Sequence, residues 1–174
     1  MGRFEYFGYG SNMLTDKLKR KDRCPSAVKI DVARTNEYTL KFHKVSKDGS
    51  GKGDMAFTGS ETDELYGVVF SIDESEKPKL DKAEGVPSYK PKEIVVEGKA
   101  KGPLRVLAYY AININPELKP YHWYKGQTVD GAKEHGLPPD YIKKIEAFES
   151  IPDPDKERVD KETAYKPKSS SNSI

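Results

Sequence analysis

Apolar and polar residues alternate over several short stretches of the chain, which is the pattern of half-buried β-strands. These stretches predict strands at residues 4–9, one or two strands within 28–42, and further strands at 55–60, 65–72, 94–96 and 104–114. The stretch 65–72 is apolar at successive positions, so it predicts a central strand that is buried on both faces. Residues 98–103 join the last two strands.

Four other segments carry helical patterns or the residues that begin and end helices. They predict helices at residues 15–20, 75–83, 129–135 and 139–150, with Gly85 and Gly136 as end signals and Pro138-Pro139 at the start of the last one. Residues 44–54 and 115–125 are predicted loops, the first of them mobile with a hairpin turn favoured at Asp48-Gly49. The order of elements predicts an α+β fold, a small mixed β-barrel of six or so strands with flanking helices.

The carboxyl-terminal segment is dominated by charge. From Asp153 onward, 10 of 22 residues are charged and the last six are nearly all polar. We therefore expect a folded domain over residues 1–151, and a disordered tail over 152–174 with at most a frayed helical turn.

Composition and charge exclude several classes of protein. The 174 residues include 30 basic and 28 acidic ones, a net charge of +2, which argues against nucleic acid as the main partner. The single cysteine, Cys24, excludes an internal disulfide, and the three histidines show no metal-ligand spacing. No uncharged stretch approaches a membrane span and the N-terminal residues show no signal region, so we expect a cytoplasmic location without membrane partners.

The segment that follows the first strand is the main candidate for chemistry. It starts like a dinucleotide fingerprint at Gly8-Tyr9-Gly10, but Met13 occupies the third glycine position. Two interpretations stay open on the residues alone. The glycines allow successive backbone amides to form a concave anion-binding nest, or the segment is an ordinary tight turn.

Four segments, in matching order, resemble the γ-glutamylcyclotransferase family. They are Tyr-Phe-Gly-Tyr-Gly-Ser-Asn-Met-Leu at 6–14, Asp-Met-Ala-Phe at 54–57 with Glu-Leu-Tyr-Gly-Val-Val-Phe at 64–70, Leu-Asp-Lys-Ala-Glu-Gly-Val at 80–86, and Gly-Ala-Lys-Glu-His-Gly-Leu-Pro at 131–138 with Tyr141. The resemblance covers residues 4–150 and implies the fold of that family, a small mixed barrel with flanking helices.

The resemblance also implies an activity and a set of site residues. In the implied reaction the α-amine of the substrate attacks its own γ-glutamyl carbonyl, giving 5-oxoproline and a free amine or amino acid. The general base falls on Glu84 and a substrate-contacting tyrosine on Tyr124. The other implied substrate-binding residues form the glutamyl loop: Tyr6, Phe7, Gly8, Tyr9, Gly10, Ser11 and Asn12. The implied partner is a small γ-glutamyl compound, with no cofactor or metal, and a homodimer is compatible with the family.

A carboxylate suits this reaction if its pKa is raised. An unperturbed glutamate has a pKa of ~4.3, and an α-ammonium group has a pKa of ~8. Transfer of a proton from the ammonium group to the carboxylate is therefore unfavourable by ~3.7 pKa units, or about 5 kcal/mol. Partial burial that raises the carboxyl pKa to ~6–7 removes roughly 3 kcal/mol of this cost. We expect Ala83, Gly85 and Val86 to give Glu84 that cover.

Alternatives remain within and outside this chemistry. A γ-glutamylamine or a γ-glutamyl-protected natural product is a second substrate class, and a non-catalytic binding module on the same fold is a third interpretation. The glutathione-specific branch is the weaker match, because residues 9–12 fit the other branch better. We interpret the following residues without function: Tyr89 as strand-edge packing, Arg34 as a surface charge, Trp123 as an exposed or half-buried ring, Cys24 as a small side chain, and 17–21 as a solvated helix face.

Overall fold

The computed structural model describes residues 2–85 and 88–168 of the chain. The strands in these residues are β1 (Arg3–Gly8), β2 (Val28–Asn36), β3 (Tyr38–Val45), β4 (Gly51–Phe57), β5 (Glu64–Asp73), β6 (Tyr89–Gly98) and β7 (Gly102–Ala111). The helices are α1 (Thr15–Leu18), α2 (Lys77–Glu84), α3 (His122–Glu134), α4 (Pro139–Glu146) and α5 (Lys156–Thr163), with 3₁₀ turns at Ser11–Met13 and Glu74–Glu76. This order confirms the predicted α+β class.

Five strands close into a barrel in the order β1-β5-β2-β6-β7. The strand β5 lies between β1 and β2, antiparallel to both, and it is the central strand that its apolar sequence predicts. A parallel contact between Tyr6 of β1 and Leu107 of β7 closes the barrel. The mixed barrel is therefore confirmed, although β3 and β4 form a separate two-stranded sheet instead of joining it.

The β3–β4 hairpin replaces the mobile loop predicted at residues 44–54. Both strands extend into this segment and leave a turn at 46–50, where Gly49 adopts the left-handed conformation with φ of 86°. Within the turn the carboxylate of Asp48 accepts hydrogen bonds from its neighbours, including one of 2.6 Å from Lys52 Nζ. The predicted extent of the loop is wrong, because both strands run into it and its polar residues bind one another, whereas the predicted hairpin turn at Asp48-Gly49 is confirmed.

The helix α3 begins inside the predicted loop 115–125. The sequence places this helix at residues 129–135, whereas the structure starts it at His122. Trp123 and Tyr124 lie in its first turn and are buried, which favours the helical conformation there. Burial of these side chains therefore starts the helix at His122, before the segment that the local sequence predicts as helical.

The strand β6 and the helices α2 and α4 differ from the predictions only at their ends. The strand covers Tyr89–Gly98 because its whole length pairs with β7, which accommodates charged residues at its exposed positions. The helix α2 ends at Glu84, and Gly85 follows it in the left-handed conformation with φ of 85°. That end is the one predicted from the glycine.

The disorder predicted from Asp153 onward is wrong for residues 153–168, which include the helix α5. Asp155 caps this helix, since its side chain accepts a hydrogen bond from the Arg158 amide at 3.1 Å. The Arg158 guanidinium donates two hydrogen bonds of 2.6 Å to Asp153, and Trp123 Nε1 donates one of 2.8 Å to the same carboxylate. Charge-assisted hydrogen bonds thus hold a helix that has no apolar stripe. Residues 169–174 of the predicted tail lie outside the described residues.

Candidate active site

The loop after β1, residues 9–14, lies between β5 and α3. At two positions these elements approach it so closely that only glycine fits. A Cβ atom on Gly67 of β5 would lie 2.5 Å from the carbonyl oxygen of Gly8. A Cβ atom on Gly131 of α3 would lie 2.6 Å from the amide nitrogen of Leu14. These two glycines therefore let the strand and the helix hold the loop between them.

The loop makes a 3₁₀ turn whose first amide groups are unpaired. The Met13 amide donates to the Gly10 carbonyl at 3.1 Å. In the parts of the chain that the structure describes, the amides of Gly10, Ser11 and Asn12 donate to no protein acceptor. The segment is thus a tight turn that also has the unpaired donors an anion-binding nest requires.

The carboxylate of Glu84 lies beside this loop. Its Oε1 atom accepts a hydrogen bond of 2.6 Å from the Tyr6 hydroxyl and one of 3.1 Å from Asn12 Nδ2. Arg23 Nη1 donates to Asn12 Oδ1 at 2.6 Å, so the amide of Asn12 presents its NH₂ group to Glu84. Among the described residues no donor reaches Oε2. One carboxylate oxygen is therefore fixed by the protein, while the second is left for another partner.

Burial raises the pKa of Glu84 above its usual value. The hydrogen bond from Tyr6, the charge of Arg23 and the hydrogen bond from Asn12 oppose this effect without cancelling it. A carboxyl with a raised pKa exchanges protons with an amine at a smaller free-energy cost than an exposed one. The environment of Glu84 therefore suits a general acid and base.

The same raised pKa predicts that Glu84 lowers the stability of the fold at neutral pH. The folded state holds the Glu84 proton more tightly than the unfolded state. Protonated Glu84 therefore contributes fully to the free energy of unfolding below the unfolded pKa of ~4.3, and this contribution is lost as the pH rises through the folded pKa. We expect Glu84→Gln to melt at a higher temperature than the wild type at pH 7.5, with the gap narrowing as the pH falls to about 4. Thermal unfolding of both proteins across this range is the measurement. A gap that widens toward acid pH would contradict the prediction.

A cavity of about 800 Å³ contains Glu84 and most of the loop. Seven of the predicted site residues line it: Tyr6, Tyr9, Gly10, Ser11, Asn12, Glu84 and Tyr124. Phe7 and Gly8 do not line it, because the Phe7 side chain is fully buried in the core and Gly8 pairs with Val68 of β5. The structure thus corrects the predicted set: these two residues support the loop from behind instead of facing the cavity.

Tyr124 connects the loop to β4. Its hydroxyl accepts a hydrogen bond of 3.0 Å from the Gly53 amide, and a Cβ atom on Gly10 would lie 3.3 Å from the same hydroxyl. Burial raises the pKa of Tyr124 to about 12, so the hydroxyl keeps its proton near neutral pH. It can therefore act as a hydrogen-bond donor within the cavity.

Lys17 lies in the cavity wall, not on the solvated helix face predicted at residues 17–21. It is buried, and its Nζ donates to Gln127 Oε1 at 2.6 Å and to Ser11 Oγ at 3.2 Å. Glu162 Oε2 of α5 lies 4.0 Å from the same ammonium group. Burial lowers the pKa of Lys17 to about 7. The prediction is wrong for Lys17, because Ser11 and Gln127 provide acceptors for its buried ammonium group, whereas Lys19 and Lys21 are exposed as predicted.

An aromatic wall, formed by Trp123 and Tyr89, also lines the cavity. Trp123 is buried in it, which differs from the exposed or half-buried ring predicted, and Lys52 Nζ lies 4.6 Å from the centre of its ring. Tyr89 is also buried in the wall, and its hydroxyl donates to the Gly53 carbonyl. Arg158 of α5 completes this side. Sequence analysis does not indicate this wall, because it favours strand-edge packing for Tyr89 and disorder for residues 153–168.

The remaining predictions concern residues away from the cavity. Arg34 is half-exposed and pairs with Glu64 at 3.5 Å, which agrees with a surface charge. Cys24 is a buried free thiol, which agrees with a small packing side chain. Val86, predicted to cover Glu84, lies outside the described residues.

Comparison with known proteins finds relatives that cover most of the chain. The AIG2-like family model matches residues 64–145. Two proteins named gamma-glutamylcyclotransferase, from Bos taurus and Homo sapiens, are 37% and 35% identical to this chain. Each match extends over 152 residues, which is 84% of this chain and 79% of the relative. A solved structure named gamma-glutamyl cyclotransferase superposes with a TM-score of 0.80 at 30% identity, covering 94% of this chain and 99% of that one. The chain belongs to the γ-glutamylcyclotransferase family.

The match to the γ-glutamylcyclotransferase family extends over the segments that form the cavity. The segment matched by the AIG2-like model includes both Glu84 and Tyr124, whereas the loop after β1 precedes it. The structural match to the γ-glutamylcyclotransferase fold extends over nearly the whole chain. Among the helices that the structure describes, none has both the length and the apolar character to cross a membrane.

Proposed function

We propose that this chain is a γ-glutamylcyclotransferase that converts a γ-glutamyl amino acid to 5-oxoproline and the free amino acid. The observation that carries the proposal is the state of Glu84: its pKa is raised by burial, one oxygen is held by Tyr6 and Asn12, and the other has no protein donor within the described residues. A carboxylate in this state, next to unpaired loop amides, fits a substrate that has both an ammonium and a carboxylate group.

The reaction needs bond and proton changes that one carboxylate can perform. The α-nitrogen of the substrate forms a C–N bond to the γ-carbonyl carbon, and the bond from that carbon to the departing nitrogen breaks. Two protons leave the α-nitrogen, one before and one after attack, and both end on the departing amine, which leaves as an ammonium ion. Glu84 accepts and returns these protons. The reaction is intramolecular, so the protein mainly has to hold the glutamyl chain in a folded conformation.

The loop provides the second half of the proposed site. The amides of Gly10 and Ser11 would receive the α-carboxylate of the glutamyl group, which directs the neighbouring α-amine to Glu84. Tyr124, with its protonated hydroxyl, would contact the same group. A cytoplasmic location belongs to the same proposal and rests on the sequence, and a homodimer is compatible with the family.

The proposal is tested by incubating the purified protein with a panel of γ-glutamyl dipeptides and γ-glutamylamines and measuring 5-oxoproline. We expect release of 5-oxoproline from dipeptides, together with an equal amount of the free amino acid. Release from amines alone would support the second substrate class. Failure of every compound to yield 5-oxoproline, while the protein binds them in calorimetry, would support the binding-module interpretation instead.

A further inference from the structure

We propose that Lys44 is a specificity-determining residue that binds the carboxylate of the departing amino acid. The inference rests on the proposed function and extends it, because it explains how the site would distinguish a γ-glutamyl amino acid from a γ-glutamylamine. These two substrate classes share the glutamyl group and differ only in whether the leaving group has a carboxylate. A cation that the glutamyl half does not occupy can make this distinction.

Lys44 is a buried cation in the cavity wall that forms no ion pair within the described residues. Burial lowers the pKa of its ammonium group, and Glu84 is close enough for its charge to oppose this effect. It lies on β3, where its backbone pairs with Lys52 of β4 and with Ile114, and it is only 7% exposed. Among the described residues its ammonium group makes no ion pair or hydrogen bond, and its contact is with the face of Tyr89, 4.6 Å from the ring centre. An ammonium group has three donors, and burying them unpaired is unfavourable unless a ligand or solvent accepts them.

Three other cations of the cavity wall, one buried and two partly buried, already have protein acceptors. Lys17 donates to Gln127 and Ser11, and Lys52 donates to Asp48 at 2.6 Å. Arg23 donates to Asn12. Lys44 therefore differs from them in having its donors available for a ligand, and its position in the cavity wall makes a bound molecule a natural acceptor.

The position of Lys44 favours the departing half of the substrate. A Cβ atom on Gly85, the residue after Glu84, would lie 3.5 Å from Lys44 Nζ, so the ammonium is next to the end of α2 where the reaction takes place. It comes from β3, whereas the unpaired amides for the α-carboxylate come from the loop after β1. The two carboxylates of a γ-glutamyl amino acid would thus be received by two different walls of the cavity.

The overall charge of the cavity wall also favours a γ-glutamyl amino acid over a γ-glutamylamine. Its wall contains seven basic and three acidic side chains, although the whole chain has a net charge of only +2. A γ-glutamylamine has no net charge when its α-amine and α-carboxylate are both ionised, whereas a γ-glutamyl amino acid has one net negative charge. This excess of cations, which includes the buried Lys44, suits the charged substrate.

The test compares two substrates that differ only by the carboxylate, γ-glutamylalanine and γ-glutamylethylamide, in the wild type and in Lys44→Met. We expect the variant to lose about 10- to 100-fold in kcat/KM for γ-glutamylalanine, the effect of one buried charge-assisted hydrogen bond, with little change for γ-glutamylethylamide. Lys41→Met is the matched control, because Lys41 is exposed on the same strand and does not line the cavity. The control should behave as the wild type with both substrates.

The other outcomes distinguish failure of this inference from failure of the proposed function. An equal loss on both substrates would assign Lys44 to the glutamyl half and overturn the inference, as would no loss on either. Methionine keeps the aliphatic length and removes an unpaired buried charge, so the melting temperature should not fall; a large fall would assign Lys44 a structural role. If the wild type forms no 5-oxoproline at all, the proposed function fails. Calorimetric affinities for the two compounds then decide on Lys44, since the inference requires a selective loss for γ-glutamylalanine.

Discussion

Glu84→Gln is expected to reduce 5-oxoproline formation by at least ~10²–10⁴-fold, the range typical of a general base. Glutamine keeps the size of the side chain and an oxygen that can accept the hydrogen bonds from Tyr6 and Asn12, but it cannot take a proton from the substrate. The loss falls at the upper end if the same group also protonates the departing amine. The measurement is 5-oxoproline release by purified variant and wild type under identical conditions.

Ligand binding should survive this substitution, because the loop amides, not a negative charge at position 84, are proposed to hold the α-carboxylate. Calorimetry with a non-cyclisable γ-glutamyl analogue should give affinities within a few-fold of each other for wild type and variant. Glu93→Gln is a suitable control, since Glu93 is an exposed carboxylate on β6 that pairs with Arg105 on the surface. Turnover of Glu84→Gln within a few-fold of the wild type would remove Glu84 from the mechanism.

Removal of α5 by ending the chain at Pro154 is expected to lower kcat/KM at least 10-fold and the melting temperature by roughly 5–10 °C. The truncation removes Arg158 and Glu162 from the cavity wall and takes away the acidic neighbour of the buried Lys17 ammonium. Loss of these partly buried contacts should cost about 2–3 kcal/mol, and 1 kcal/mol corresponds to roughly 2–4 °C in a domain of this size.

A second truncation that ends at Lys168 is the control, because it keeps every α5 contact described above. It should match the full chain in melting temperature and in turnover. If the shorter chain ending at Pro154 also matches the full chain, then α5 packs on the domain without contributing to its stability or its cavity. That outcome would make the segment dispensable, although it is ordered.

The elements that local sequence predicts well are those whose burial follows a simple period. The strand β5 is apolar at successive positions and is central in the barrel, and Gly85 ends α2 in the left-handed conformation. The proximity of Glu84 to the loop was not predictable from such patterns, since 71 positions separate Glu84 from Met13 and only the barrel brings the two segments together. The expectation that they meet came from the family resemblance.

The parts that sequence analysis missed are held together by polar contacts between distant residues. Lys17 appears in a basic run, and its burial depends on Gln127 of α3, 110 positions away. The helix α5 has no apolar stripe, and it is held through Asp153, Arg158 and the indole of Trp123. The aromatic residues at 121–124 were a usable signal for the cavity wall, but no local signal identifies the α5 residues that meet them.

The parallel contact that closes the barrel has a consequence for the order in which the protein is built. Synthesis produces β1 first, yet β1 has its partners in β5 and in β7, which ends at Ala111. At 5–20 residues per second, translation of the chain from β1 to the end of β7 takes roughly 5–20 s, and for all of this time β1 lacks at least its β7 neighbour. Such long-range pairing also slows folding after release. The amides of the loop after β1, although synthesised at the beginning, therefore reach their final arrangement only when the last barrel strand has emerged from the ribosome.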